Sequence, residues 1–241
     1  MNKLLKMVSV FLIFAVVSMC FCSCTPENGD SDHPYIKVGD KSLSREYIGY
    51  FFYLAQRSMI QEAGMVLGEG GNSTQKDVDE FWATTEIDGK NAQSVARATA
   101  ADNAVIQTIQ YLKAVDEGIE LTKEENDEIT SQINAAIESS GGKEKFKEQL
   151  QSMNSSVDAY KQILTENKYL QKLYDKYDSQ GLLEVTEQEL EAYSAQNAGR
   201  IPQEQIFEAA KKDKFNKMVQ QWGTEYKIEI SDEKMKEFNV K

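Results

Sequence analysis

Only two stretches of this chain alternate in the manner of β-strands, residues 35–39 ("YIKVG") and 225–231 ("EYKIEIS"), and they stand near opposite ends of it. A lone strand leaves a row of backbone donors and acceptors without partners, so two lone strands are expected to pair with each other. Whatever lies between them must therefore leave the first strand and come back to it.

What lies between reads as helix after helix. Ser44 can cap a helix that runs to Gly64, and a glycine-rich loop (64–75) and a short helix, "KDVDEFWATT", follow. "DGKN" (88–91) breaks the chain again. A long helix is expected from about Ala92 to Glu117, with Val105, Ile109, Leu112 and Val115 as its apolar stripe, and Gly118 ends it. Thr122 and Glu125 have the spacing of a capping box, as do Thr186 and Glu189. Gly141-Gly142 separates the first capped helix from "KEKFKEQLQSM", and Ser155 or Ser156 caps a long helix whose face carries Tyr160, Ile163, Leu164, Leu170, Leu173, Tyr174 and Tyr177. Pro202 is expected to open a helix through Trp222, and Ser231 to cap a short last one. The fold class expected is mainly α, with a small two-stranded pairing of the terminal strands.

Ahead of this region, Lys3 and Lys6 precede an uncharged run from Met7 to Cys22, the order of a secretory signal. The run is shorter than the roughly 20 apolar residues that span a bilayer. Its end, Phe21-Cys22-Ser23-Cys24, resembles the lipobox of bacterial lipoproteins, in which a small residue precedes a cysteine that is acylated and becomes the mature N-terminus. The resemblance implies lipidation at Cys24; Cys22, preceded by Phe21, and Cys20, preceded by Met19, fit the pattern less well. The expected division is a signal peptide at 1–23, a polar tether at 24–34 that holds His33, and one folded domain at 35–241. Cys20, Cys22 and Cys24 alternate by two inside the apolar run, a spacing unlike the C-x2-4-C pairs of zinc sites, so no metal is expected.

Charge narrows the partners. The chain carries −12 at pH 7, and removal of the leader takes away two lysines and no acid. Such a surface is repelled by nucleic acid and by anionic lipid, so a nucleic-acid partner is not expected. Catalytic constellations are missing as well: the sole histidine, His33, lies in the tether, and no motif marks a serine and lysine pair. The acid pairs Glu124-Glu125 and Asp232-Glu233 sit at helix N-termini, where they favour the helix dipole. "GEGG" (68–71) has no preceding strand and no following lysine, and "DSDH" has too few ligands for calcium. No cofactor is expected.

The order of elements resembles the helical chaperone domain of the SurA and PrsA foldases. The resemblance rests on "AVIQTIQYLKAVDEGIELTKEENDEITSQI" (104–133) and "GGKEKFKEQLQSMNSSVDAYKQILTENKYLQKLYDKY" (141–177), with "YIKVGDKSLSREYIGYFF" before them and "YKIEISDEKMKEF" after. Members commonly insert a parvulin prolyl-isomerase domain after the helix matched by "VTEQELEAY", where this chain has only "SAQNAGRIP" (194–202). The resemblance thus implies a membrane-anchored, extracytoplasmic chaperone that holds unfolded or newly secreted polypeptides and lacks the isomerase. Two alternatives stay open: a structural or adaptor envelope lipoprotein with one fixed partner, and a peptidylprolyl isomerase by family membership. Candidate client-binding residues are Tyr50, Phe51 and Tyr53 in "YIGYFFYL", too aromatic for a single buried stripe, with Phe81 and Trp82 from the next helix. Met59 and Met65 would add adaptability there. The second face of this helix is either packed by a neighbour or left lining a groove.

Overall fold

A computed structural model describes residues 34–68 and 71–239. In chain order the elements are β1 (Ile36–Val38), β2 (Lys41–Leu43), α1 (Arg45–Glu62), α2 (Gln75–Thr84), β3 (Glu86–Ile87), β4 (Lys90–Asn91), α3 (Ala92–Asp116), α4 (Lys123–Ser139), α5 (Lys143–Ser152), α6 (Val157–Ser179), α7 (Glu187–Gln196), α8 (Ile206–Gly223), β5 (Ile228–Ile230) and α9 (Asp232–Met235). The protein is mainly helical with a small antiparallel sheet. None of the described helices is long and apolar enough to cross a membrane.

The terminal strands pair as the alternation predicts. β1 and β5 run antiparallel, with Ile36 opposite Ile230, Lys37 opposite Glu229 and Val38 opposite Ile228. The sheet has a third strand that the sequence reading took for turn and cap: β2 folds back on β1 through the two-residue loop Gly39-Asp40. Gly39 adopts φ +59, which suits glycine at the first position of such a loop. A second hairpin, β3–β4, stands where only a break was expected. Its loop, Asp88-Gly89, has positive φ at both residues, the geometry that Asp-Gly favours in a type I′ turn. β2 buries only Leu43, and β3 and β4 are two residues each, so none of the three shows period two and only their turns were legible.

Helix ends follow their caps. Ser44, Thr122, Ser156, Thr186 and Ser231 each accept a hydrogen bond from the backbone N–H three residues on, and Thr122 and Thr186 complete capping boxes with Glu125 and Glu189. Thr74 forms a third box with Asp77, at the start of α2. Pro202 does not start α8 directly. A 3₁₀ turn at Gln203–Gln205 comes first, and α8 begins at Ile206 without a side-chain cap.

α3 is the axis of the molecule, and its buried face is made of small residues. Ala92, Ala96, Ala100, Ala104 and Thr108, spaced four apart, are fully buried. That stripe lets α1 lie close along α3, while α6 and α8 pack on it from other sides. The aliphatic stripe expected on α3 holds for Val105 and Ile109, weakens at the half-buried Leu112, and fails at Val115, which is 45% exposed in the last turn. The main core gathers Ile36, Val38 and Leu43 of the sheet with Tyr47, Phe52, Leu173, Trp222 and Phe238. A second, small cluster around Ile129 and Leu164, with Leu121, Ile133, Tyr160 and Tyr169 packed against it, holds α4 to α6. α6 thus serves both cores, with Ile163 in one and Leu164 in the other.

One close approach fixes how α1 meets the loop before α6. A Cβ on Gly49 would lie 2.0 Å from the carbonyl oxygen of Asn154, which itself has φ +56. Gly49→Ala therefore forces α1 away from that loop. A destabilisation of about 1–3 kcal/mol or more is expected, although alanine has the better helix propensity, and urea unfolding monitored by circular dichroism measures it.

Candidate functional site

The aromatic residues of α1 divide between core and surface. Tyr47, Phe51 and Phe52 are buried, and Tyr50 and Tyr53 are half-buried. The Phe51 ring lies 5.2 Å from that of Tyr47 and 6.2 Å from that of Tyr50. Tyr50 in turn meets Tyr160 of α6 at 6.1 Å, and Tyr160 meets Phe146 of α5 at 5.6 Å, so a chain of edge-on rings joins three helices. Burial raises the hydroxyl pKa of both Tyr50 and Tyr160, and both remain neutral donors. Tyr53 sits under Arg57, whose guanidinium carbon is 5.8 Å from the ring centre.

Phe81 and Trp82 lie elsewhere. Their rings meet edge to face at 4.9 Å, both are buried, and α2 packs on α3 and the β3–β4 hairpin. Among the five aromatic residues proposed from sequence, Phe51, Phe81 and Trp82 are therefore core side chains, and only Tyr50 and Tyr53 reach the surface. The physical reason lies in α3, on which α1 and α2 both pack, so that these three rings join its alanines in one core. Met59 is buried and Met65 is half-buried against the main core. Cys24 and His33 lie outside the described residues.

The chemistry-bearing cluster that sequence reading missed is centred on Glu166. Its carboxylate is fully buried, on the apolar side of α6, three residues after Ile163 and four before Leu170. Four donors from four elements reach it. Lys41 of β2 donates from Nζ to Oε1 at 2.7 Å, and Gln162 of α6 from Nε2 to the same oxygen at 2.9 Å. The Tyr47 hydroxyl of α1 donates to Oε2, and Gln107 of α3 donates from Nε2 to it at 3.3 Å. The Lys41 ammonium also stands 3.9 Å from the centre of the Tyr111 ring, a cation–π contact. Both carboxylate oxygens thus find their hydrogen-bond donors within the protein. Burial first, then the charge and hydrogen bond of Glu166, push the Tyr47 hydroxyl well above its ordinary pKa, so it stays protonated and donating. With all four donors engaged and only Lys41 and Gln162 half-buried at its edge, the cluster ties β2, α1, α3 and α6 together. The signal for it was present in the sequence: a charged residue on an otherwise apolar helical stripe.

A second set of charges runs along the same helix. Lys168, Lys172 and Lys176, spaced four apart on α6, pair with Glu128 at 3.0 Å, Glu125 at 2.7 Å and Glu117 at 2.6 Å, clamping α6 to the end of α3 and the start of α4. Burial pulls the carboxyls of Glu117 and Glu125 up, but hydrogen bonds from Lys176 and Tyr177 to the first, and from Lys172 and the Thr122 backbone to the second, outweigh it and hold both below the usual range. Among the described residues, no three histidine, cysteine, aspartate or glutamate side chains gather as a metal site. No family model, no curated protein and no solved structure matches the chain.

Two outcomes follow from these charges. Glu166→Ala leaves the Lys41 ammonium and the buried Tyr47 hydroxyl without their shared acceptor, and a loss of about 3–5 kcal/mol in unfolding free energy is expected from chemical denaturation. For Glu117 and Glu125 the folded pKa lies below the unfolded value, so their contribution is present above the ordinary carboxyl pKa of 4.5 and disappears as pH falls through the lower folded value. Melting temperature should accordingly drop between pH 5 and pH 3, and Lys172→Met with Lys176→Met should flatten that drop.

Proposed function

We propose that this protein is a lipid-anchored, extracytoplasmic holding chaperone of the SurA/PrsA type, without a prolyl-isomerase domain. The observation that carries the reading is the α7–α8 arm. None of the ten residues of α7 is buried; the helix lies along α8 and presents half-buried Leu190 and Tyr193. α8 is fastened to the end of α6 by Lys211–Asp178 at 2.6 Å, and Lys214 donates to the Glu184 carbonyl at 2.5 Å in the turn that follows α6. Leu182 in that turn and Phe207 at the start of α8 stay exposed. A helix such as α7 that buries none of its residues, flanked by the exposed apolar side chains of Leu182 and Phe207 on an acidic protein, suits weak and reversible contact with apolar segments of another chain.

The element order supports the same reading. α3, the two capping boxes, the glycine pair before α5 and the long α6 follow the foldase pattern, and the described chain passes from α7 to α8 through residues 197–205 alone. The leader and Cys24 would place the protein at the outer face of the membrane. There a single acyl chain holds only marginally, so firm anchoring needs the several chains typical of bacterial lipoproteins.

Suppression of aggregation of an unrelated denatured protein tests this reading. The purified chain should reduce light scattering at a few-fold molar excess, and Leu182→Ser with Phe207→Ser should weaken the effect severalfold while leaving the melting temperature unchanged. No suppression, together with stable capture of one envelope protein, would favour the adaptor reading. Acceleration in a protease-coupled prolyl-isomerisation assay would overturn the non-enzymatic part.

A further inference from the structure

The outer edge of β5 is built to pair with itself. The strand order is β2-β1-β5, so β5 is a sheet edge, and no described strand lies beyond it. Two ladder bonds set its phase: Gly39 donates to the Lys227 carbonyl and Ser231 to the Tyr35 carbonyl, each at 2.9 Å. Backbone groups of Lys227, Glu229 and Ser231 therefore face β1, and those of Ile228 and Ile230 point outward. The side chains add a second asymmetry. Ile36 and Val38 are 0% exposed, but their cross-strand partners Ile230 and Ile228, on the same face, are 41% and 39% exposed. The apolar face of the core thus runs out to the solvent at this edge.

We propose that β5 associates, antiparallel and about a two-fold axis at Ile228, with β5 of a second copy of this chain, joining the two three-stranded sheets. The phase permits only registers that set outward-facing residues against outward-facing residues, because hydrogen-bonded pairs form between outward-pointing groups. Centred on Ile228, the register sets Ile228 against Ile228 of the second copy and Tyr226 against Ile230 of the second copy. It also sets Lys227 against Glu229 of the second copy, twice by symmetry, at a non-hydrogen-bonded position where Cα atoms come within about 4.5 Å and side chains are closest. Within one strand Lys227 and Glu229 already form an ion pair on this face, so pairing produces a square of alternating charge. Centring on Ile230 sets Glu229 against Ser231 and loses both charge pairs. Registers centred on Lys227 or Glu229 keep the phase but set like charges directly opposite each other.

The pairing is short, well below the area of a stable obligate interface, so it gives a weak, reversible dimer. The like net charge of the two copies opposes approach, but beyond about 8 Å it is screened at physiological ionic strength. Charged residues on a short edge strand ordinarily discourage such pairing; in this register they favour it. The inference rests on the strand alone and is independent of the chaperone reading.

Charge reversal tests it, using the full chain in a density-matched neutral detergent. Sedimentation equilibrium should show a concentration-dependent dimer. Lys227→Glu or Glu229→Lys alone should weaken it about tenfold or more, because each places like charges opposite one another twice, and the exchange of both residues should restore it. Both side chains are substantially exposed, so unchanged circular dichroism should verify folding. In a mixture of light- and heavy-nitrogen chains, zero-length carbodiimide cross-linking should yield Lys227–Glu229 peptides of mixed label. A monomer at all concentrations, a dimer indifferent to the reversals, or cross-links of single label only would overturn the proposal.

Discussion

A carboxylate removed from water must be surrounded by donors, and Glu166 is the point at which that requirement organises the molecule. Gln162 is one turn away on the same helix, and the other three donors come from β2, α1 and α3, between 59 and 125 residues away in the chain. None of these elements can shift without breaking a hydrogen bond to a buried carboxyl group. Hydrophobic contacts alone would tolerate a range of helix angles between α1, α3 and α6, whereas four hydrogen bonds to two oxygens do not. The Lys41 contact also carries the constraint into the sheet, because β2 is paired to β1 and β1 to β5. The closure of the fold at its ends and the packing of its helices thus share one fixed point.

Around that point the packing follows from residue size. The small side chains of α3 admit α1 and bring its tyrosine hydroxyl to the carboxylate, while the larger residues of α6 and α8 fill the other sides. The same closeness consumes Phe51, leaving a surface with few large apolar residues on α1 and shifting exposed ones to the loop residues Val66 and Leu67, the turn at Leu182, the start of α8 and the sheet edge. Asn72 bridges the neck of the glycine-rich loop, accepting from the Val66 N–H at 2.8 Å and donating to the Gly64 carbonyl at 2.9 Å, so its apolar pair is held outward. The proposed holding function and the proposed edge pairing both draw on apolar groups that the core could not absorb.

Much of the scaffold was legible before any coordinates. Caps at Ser44, Thr122, Ser156 and Thr186 mark helix starts because an unpaired N–H needs a local acceptor, a demand met within three residues of chain. The pairing of the two end strands was legible for a similar reason, since the rest of the chain offered them no other evident partner. At Asp88-Gly89 only a break was legible, because the two-residue strands β3 and β4 on either side are too short to alternate. By contrast, the fate of "YIGYFFYL" was not decided locally: whether Phe51 is core or surface depends on how near α3 stands, and that is set by alanines more than forty residues later.

The sequence by itself determined where helices start and stop, that the ends must meet, and that the surface is acidic, because each of these depends on neighbours in the chain or on composition. Tertiary structure alone decided that Glu166 is buried, that Lys168, Lys172 and Lys176 form a ladder of ion pairs, and that β5 presents its outer edge to solvent. Those features depend on distances between residues remote in sequence, and such distances exist only once side-chain volumes have set how closely the helices pack.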